Sequence, residues 1–231
     1  MSFYKNCYNN FMLNKEEYFT AANIRQKSRA MLKKLIKRSR KPKGNPFGEH
    51  PALLILDMQR YFLESGSHAF IPSAGAVIPV IRELRDLFLK KGFPVIFTRH
   101  VNTAEDAGMM ASYWRDLLQR DSPMSGFSTL LPPGDRTVVE KKQYDAFFGT
   151  ELDNILRNEA VDMLVITGLC THLCCESTAR SSFIRGYKTI IPVDGTATFN
   201  EELHLCALLG LMNGFSDPFL TEDILEYYEK N

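Results

Sequence analysis

The stretch DMLVITGLCTHLCCESTARSSFIRGYKTIIPVD, residues 162–194, contains a strand, a helix and a second strand in direct succession. DMLVITG (162–168) is a nearly continuous apolar run, as expected of a strand that is buried on both faces. The helix predicted over 174–185 ends at Gly186, and YKTIIPVD (187–194) supplies the next strand. This strand–helix–strand order predicts a parallel sheet.

The same alternation extends in both directions from this stretch. We predict three earlier strands, a last short strand near Phe219, and helices between them; the segments are ALLILDM (52–58), FPVIFTR (93–99) and TVVEK (137–141) for the strands and 77–91, 151–160 and 200–215 for helices, with a further helix around Trp114. The predicted fold is therefore an α/β three-layer sandwich, with a six-stranded, mainly parallel sheet and helices on both faces. In such sheets, ligands bind beyond the carboxyl ends of the strands.

The composition narrows the class of protein. A chain of 231 residues that is 45% hydrophobic can bury the core of one α/β domain with an appendage. No apolar run is long enough to span a membrane, and the first residues do not resemble a secretory signal. Five clustered cysteines, an odd number, indicate reduced thiols in a cytoplasmic protein. The sequence has no G-x-G-x-x-G and no P-loop, so we expect no nucleotide cofactor.

Charge divides the chain at residue 48. Residues 1–48 carry 12 Lys/Arg and 2 Asp/Glu, whereas residues 49–231 carry 16 Lys/Arg and 25 Asp/Glu. We therefore predict a basic helical arm over 1–48 and an acidic body over 49–231. The arm could bind nucleic acid or an anionic membrane surface. We favour an arm that lies on the acidic body of its own or a neighbouring subunit, in a homo-oligomer such as a dimer or tetramer with no nucleic-acid or membrane partner.

Reactive residues follow three of the predicted strands. Asp57 ends the first strand, Lys141 ends the third, and Cys174 belongs to the cysteine cluster after the fourth. Each has an ordinary structural role when taken alone: a helix cap or buried ion pair for the aspartate, a solvated charge for the lysine, and apolar packing for the cysteine. Because the three meet at one edge of the sheet, they predict a nucleophilic site in which the carboxylate accepts the thiol proton beside an ammonium group.

A metal site or a disulfide accounts less well for the cysteine cluster. A metal site could use Cys170, His172, Cys174 and Cys175, but C-x-H-x-C-C matches no usual zinc spacing. A disulfide between the neighbours Cys174 and Cys175 would be strained. We therefore predict no metal site and expect Cys175 to pack in the core.

Four motifs carry a resemblance to a known family. They are LLILDMQRYF (53–62), VVEKKQYDAFFGTEL (138–152), VITGLCTHLCCESTAR (165–180) and GYKTIIPVDGTAT (186–198). In this order, from about residue 51 to 225, they resemble the isochorismatase-like cysteine hydrolases, a Rossmann-like group that includes nicotinamidases, N-carbamoylsarcosine amidase and the isochorismatases. The resemblance implies the six-stranded parallel sheet that the alternation also predicts.

The resemblance also implies roles for individual residues. Asp57 matches the general base, Lys141 the catalytic lysine and Cys174 the nucleophile. Family members have a non-proline cis peptide at the position of Leu169–Cys170, and backbone N–H groups of Cys170 and Cys174 would form the oxyanion hole. Because the ammonium group and a helix N-terminus both favour a thiolate, we predict a pKa of Cys174 below the free value of about 8.5.

The cysteine at the nucleophile position implies hydrolysis of a C–N bond in a small molecule: an amide, carbamoyl or ureido group. The alternatives are an isochorismatase-type vinyl ether hydrolase and a non-catalytic binding protein on the same fold. We predict that Phe62, His100, Trp114 and Tyr144 line the substrate pocket. Nicotinamidases carry a metal-binding D-x-H motif near the position of His100, which this sequence lacks, so no metal is predicted and nicotinamide is a less favoured substrate.

Overall fold

The computed structural model describes residues 14–38, 44–114 and 116–231. In chain order, its helices and strands are α1 (Ile24–Ile36), β1 (Pro51–Leu56), α2 (Arg60–Leu63), α3 (Ala74–Lys90), β2 (Val95–His100), α4 (Met110–Tyr113), β3 (Thr137–Lys141), α5 (Leu152–Asn158), β4 (Met163–Leu169), α6 (Glu176–Ile184), β5 (Lys188–Pro192), β6 (Thr196–Ala197), α7 (Glu201–Met212), β7 (Asp217–Phe219) and α8 (Thr221–Lys230). A 3-10 turn spans Pro123–Ser125, and a π-helical turn spans Thr171–Cys175.

The strands form one sheet in the order β3-β2-β1-β4-β5-β7, and all pairs of these strands are parallel. The prediction of an α/β fold with a parallel sheet is confirmed. The structure adds a seventh strand, the two-residue β6, which pairs with β4. This strand forms because a turn after β5 returns the chain to the end of β4. A hydrogen bond from Gly195 N to the carbonyl oxygen of Pro192 closes the turn. Two residues are too few for a recognisable strand pattern.

The central strands lie in the core. Every residue of β1 and β4 is buried, which agrees with their continuous apolar sequences. Helices cover the sheet: α3 contacts β1, β2 and β4 and packs against α8, whereas α6 contacts β5 and packs against α7. No helix in the described ranges combines the length and the apolar character needed to cross a membrane.

The basic helix α1 lies on the body of its own chain. Its apolar face is buried at Ile24, Met31 and Leu35, and just before it Phe19 is fully buried. The opposite charges meet in three ion pairs, Arg25–Glu83, Lys27–Glu201 and Arg29–Glu222. These pairs are partly exposed, so the buried apolar face contributes more to holding the helix than they do. Residues 1–13 and 39–43 of the predicted arm lie outside the described residues, and the boundary at residue 48 stays a prediction.

Candidate active site

The three reactive residues meet at the carboxyl edge of the sheet. Asp57 directly follows β1, Lys141 is the last residue of β3, and Cys174 lies in the turn after β4. The Lys141 Nζ atom is 2.7 Å from Asp57 Oδ2 and 3.2 Å from Cys174 Sγ. Asp57 and Lys141 are completely buried, and Cys174 is 5% exposed. One ammonium group therefore bridges a carboxylate and a sulfur atom away from bulk water.

Asp57 has an unusual backbone conformation. Its φ of +52° lies in the left-handed region, which non-glycine residues occupy rarely and at a cost of order 1–3 kcal/mol. Thr98 on β2 holds it there: its hydroxyl donates to Asp57 Oδ1 at 2.6 Å and accepts from Asp57 N at 3.2 Å. The carboxylate is thereby fixed in orientation, with Oδ2 turned to the ammonium group of Lys141.

Gly168 allows β1 and β4 to approach closely beside the site. Its φ is +106°, and a Cβ atom at this position would lie 2.1 Å from the carbonyl oxygen of Leu56, its register partner on β1. Any side chain would therefore push the two strands apart. Asp57 directly follows Leu56, and the cysteine turn begins three residues after Gly168.

The turn that carries Cys174 differs from the predicted one. We expected Cys174 in the first turn of an α-helix, but it lies in the π-helical turn Thr171–Cys175, and α6 begins at Glu176. The wider turn is closed by a bond from Cys175 N to the carbonyl oxygen of Cys170 at 3.2 Å, five residues back. The Leu169–Cys170 peptide is cis, as the resemblance implied.

Burial dominates the electrostatics of the site. It raises the pKa of the Cys174 thiol to about 12; Lys141 lowers this pKa and Asp57 raises it further. Our prediction of a pKa below 8.5 was therefore wrong, because removing the thiolate from water outweighs the nearby ammonium group. Burial alone would lower the pKa of Lys141, but Asp57 and Cys174 raise it above its ordinary value. At neutral pH the resting site is an ammonium–carboxylate pair beside a neutral thiol.

The remaining described cysteines are not placed for this chemistry. Cys170 and Cys175 are buried in the core, and burial raises the pKa of both thiols well above the ordinary value. Cys206 is exposed on α7, and all four described cysteines are free thiols. Over the described ranges, no group of three or more His, Cys, Asp or Glu side chains is arranged to hold a metal ion. Cys7 lies outside the described residues.

The four predicted pocket residues lie close together. Phe62, His100 and Trp114 line a small cavity of about 10 Å³, together with Asn102. Trp114 Nε1 donates to the hydroxyl of Tyr144 at 2.9 Å, and the rings of Phe62 and Trp114 contact edge to face. The cavity has the volume that a single water molecule needs, so a substrate requires these walls to move apart.

His100 connects this cavity to the catalytic residues. It is the register partner of Lys141 across β2 and β3, so the two side chains leave the same face of the sheet. Gln59 fixes the strand end: it accepts from His100 N at 2.8 Å and donates to the carbonyl oxygens of His100 and Ser125, both at 3.0 Å. Burial, assisted by Lys141, lowers the pKa of His100 to about 4, so its imidazole is neutral at neutral pH.

The sequence around this site matches a known protein family. The family model described as "Isochorismatase domain" matches residues 51–223, well over half of the chain. The chain belongs to the isochorismatase family. Nicotinamidase 3 of Arabidopsis thaliana is 35% identical over 179 residues, which cover 75% of this chain and 86% of that protein. Isochorismatase of Bacillus subtilis (strain 168) is 30% identical over 187 residues, which cover 78% of this chain and 59% of that protein.

Solved structures of the isochorismatase family support the same fold. The crystal structure of a cysteine hydrolase from Pseudomonas syringae pv. phaseolicola 1448A matches with a TM-score of 0.76 at 26% identity, covering 83% of this chain and 97% of that one. The relatives carry the names of different hydrolases. Similarity therefore establishes an isochorismatase-family hydrolase and not the bond that it cleaves.

A segment outside the isochorismatase domain reaches the edge of the site. Glu16 N donates to the carbonyl oxygen of Phe199 at 2.8 Å, and Tyr18 accepts from Thr198 N at 3.0 Å. The Lys15 ammonium group lies 5.3 Å from the centre of the Phe199 ring and donates to the carbonyl oxygen of His68 at 2.5 Å. Thr198 and Phe199 both contact His172 in the cysteine turn, so the arm forms part of the surroundings of that turn, which its charge pattern did not predict.

Sequence reasoning missed three residues that shape the site. Thr98 is the one hydroxyl residue inside the apolar run VIFT, Gln59 occupies the D-x-Q part of the first motif, and Asn102 follows β2 by two residues. For Thr98, a polar residue in a buried strand was an available signal, because such a group requires a partner. The contact between Asn102 and His100 depends on the path of the chain after β2, which no local pattern indicates.

Proposed function

We propose that this chain is a cysteine hydrolase that cleaves a C–N bond of a small molecule, in an amide, carbamoyl or ureido group, through a thioester intermediate. The observation that carries the proposal is the single buried ammonium group of Lys141, which contacts both Asp57 and Cys174. A thiol and a proton acceptor that both contact one fixed positive charge provide the groups that acyl transfer to sulfur requires.

The first step forms the thioester. Cys174 Sγ attacks the carbonyl carbon while its proton passes to Asp57, so no free thiolate has to accumulate at a pKa of about 12. The tetrahedral intermediate places negative charge on the former carbonyl oxygen, which the backbone N–H groups of Cys170 and Cys174 would stabilise. The intermediate collapses when the C–N bond breaks, and Asp57 returns the proton to the leaving nitrogen.

The second step releases the acid. Asp57, again a carboxylate, takes a proton from a water molecule that attacks the thioester carbon. The C–S bond breaks, Cys174 recovers its proton from Asp57, and the carboxylic or carbamic acid leaves. Lys141 stays protonated throughout, since its raised pKa keeps the ammonium group beside the changing charges. It holds Asp57 in place and offsets the negative charge that develops on sulfur.

Two alternatives make different predictions. A vinyl ether hydrolase of the isochorismatase type would need no nucleophile, and its activity would survive Cys174→Ala. A non-catalytic binding protein would turn over none of the substrates. The buried contact between Lys141 and Cys174 favours cysteine chemistry, because an ammonium group 3.2 Å from sulfur stabilises the negative charge that develops there when sulfur acts as a nucleophile.

The test is a panel of primary amides, carbamoyl compounds and ureido acids, read out as ammonia release, with isochorismate as the vinyl ether substrate. We expect ammonia from at least one C–N substrate, loss of that activity in Cys174→Ala, and a thioester adduct on the peptide containing Cys174 by mass spectrometry. Cleavage of isochorismate that persists in Cys174→Ala would refute the proposal. We further propose a cytoplasmic homo-oligomer, for which light scattering should give a dimer or tetramer mass.

A further inference from the structure

Two buried polar atoms beside the catalytic site lack partners. Over the described residues, Nδ1 of His100 and Oδ1 of Asn102 are buried and make no hydrogen bond. The two residues are 7% and 4% exposed, and both line the cavity next to Phe62 and Trp114. An unpaired buried polar group is costly, and native proteins usually satisfy it with protein, water or a ligand.

The opposite end of each side chain is already engaged. Asn102 Nδ2 lies 3.3 Å from His100 Nε2 and 3.7 Å from the sulfur atom of Met110. Because His100 is neutral at neutral pH, donation from the Asn102 amide to Nε2 leaves the imidazole proton on Nδ1. The free atoms are then one donor, His100 Nδ1–H, and one acceptor, Asn102 Oδ1.

This result does not depend on how the amide of Asn102 is oriented. If the amide is turned round, its oxygen accepts from His100 Nε2–H. Nδ1 is then the free acceptor and the Asn102 NH₂ group the free donor. In both arrangements the pair offers one donor and one acceptor.

We propose that His100 and Asn102 form a recognition pair for an uncharged amide or ureido group in the part of the substrate that occupies this cavity. Such a group presents one carbonyl oxygen and one N–H, which match the free donor and the free acceptor. A carboxylate presents only acceptors and would leave one of the two protein atoms facing an oxygen atom without a proton. This inference rests on the proposed function because it assumes that the substrate enters the cavity. It adds the chemical class of the group that His100 and Asn102 select.

The walls of the cavity agree with this choice. Phe62 and Trp114 contribute aromatic surface. The strand register places Lys141 beside His100, but its ammonium group is already paired with Asp57 and hydrogen-bonded to Cys174 Sγ. A carboxylate entering here would lose its hydration without gaining a free cation. A planar amide group loses less hydration free energy than a carboxylate, and the aromatic rings can cover its faces.

The experiment measures binding rather than turnover. In the Cys174→Ala background, calorimetry at pH 7.5 compares malonamide with malonamate and malonate, and succinamide with succinamate and succinate. We expect the tighter-binding diamide to bind at least about tenfold more tightly than the matched diacid, which must present a carboxylate to the pair and leaves one buried hydrogen-bonding group unsatisfied; the amide–acid can place its amide there and should bind with intermediate affinity. Asn102→Leu and His100→Phe should each bring that ratio close to one. Asn213→Leu, on the exposed surface after α7, is the matched control and should leave it unchanged.

The outcomes separate this inference from the proposed function. A preference for the diamide that Asn102→Leu abolishes supports the recognition pair, even if the wild type hydrolyses no amide and the proposed function fails. Absence of diamide binding, equal or tighter binding of the acids, or a ratio that both variants preserve would overturn it, even if amide hydrolysis is found. The comparison of ligands in the Cys174→Ala protein, in which His100 and Asn102 are intact, tests the ligand preference by itself. The test therefore remains decisive if the Asn102→Leu or His100→Phe variant does not fold.

Discussion

The protonation of Cys174 gives the sharpest test of the site. With a pKa of about 12, roughly one thiol in ten thousand is ionised at pH 8, and alkylation by iodoacetamide should be roughly a thousandfold slower than for a free thiol. Lys141→Met removes the ammonium group 3.2 Å from sulfur and should raise the thiol pKa. Two unit charges 3.2 Å apart interact by about 5 kcal/mol at an effective dielectric constant near 20, which bounds the shift at about four pH units.

Asp57→Asn should move the pKa in the opposite direction. The carboxylate opposes ionisation of Cys174, so its removal should lower the thiol pKa and speed alkylation at pH 8. The same variant should nevertheless lose hydrolysis, because the proton acceptor is gone. Faster alkylation combined with lost turnover is not expected of a cysteine whose role is only to pack.

The measurement is the alkylation rate against pH for the wild type and both variants, with peptide mapping to locate the label. Cys206 is exposed and serves as the reactive reference thiol within the same chain, and Cys175→Ala is the matched control for a buried neighbour. Shifts in the same direction in the two variants, or no shift in either, would refute the assignment of Asp57 and Lys141. A wild-type midpoint below 8.5 would refute the conclusion that burial dominates.

Three further outcomes are expected. Cys174→Ala should abolish ammonia release and Cys175→Ala should keep most of it; equal losses would mean that the wrong sulfur is assigned. Deleting residues 1–48 should lower the midpoint of thermal unfolding or the mass in solution more than it changes turnover by the remaining folded protein, because the arm buries apolar side chains on the body; an unchanged midpoint and mass would contradict this. Burial lowers the pKa of three buried or half-buried histidines to about 4, so the unfolded state binds more protons than the folded state between pH 6.5 and 4. Each contributes a loss of up to about 1.4 kcal/mol per pH unit as the pH falls through that window, and in urea titrations the slope should be smaller for His204→Gln than for the wild type; equal slopes would exclude this contribution.

The sequence predicted the strands better than the turns between them. A buried parallel strand is a continuous apolar run, so β1 and β4 were identified from residue types alone. The predicted bounds of β3, residues 137–141, agree with the structure. Two-residue β6 and the C-terminal helix α8 were not predicted, since the first is too short for a periodic pattern and the second was not recognised in the acidic end of the chain.

The candidate site was predictable as a set of residues and not as an electrostatic environment. Asp57, Lys141 and Cys174 follow three strands, and parallel strands bring their carboxyl ends to one edge, which the structure shows as contacts of 2.7 and 3.2 Å. The thiol pKa was predicted with the wrong sign because the number of atoms around Cys174 depends on packing from distant segments. The recognition pair was missed for the same reason: an unpaired atom is visible only when all its neighbours are known.

Gly168 determines how closely the two strands that carry Asp57 and Cys174 approach each other. At this contact the backbone of β4, which leads to the nucleophile, lies against the backbone of β1, which leads to the proton acceptor. There is no room between Gly168 and Leu56 for a side chain. A single added methyl group there would act as a spacer, and it would separate Asp57 from Cys174 without altering either of them. Substitution of Gly168 should therefore lower activity, although this residue has no side chain and takes no part in the reaction.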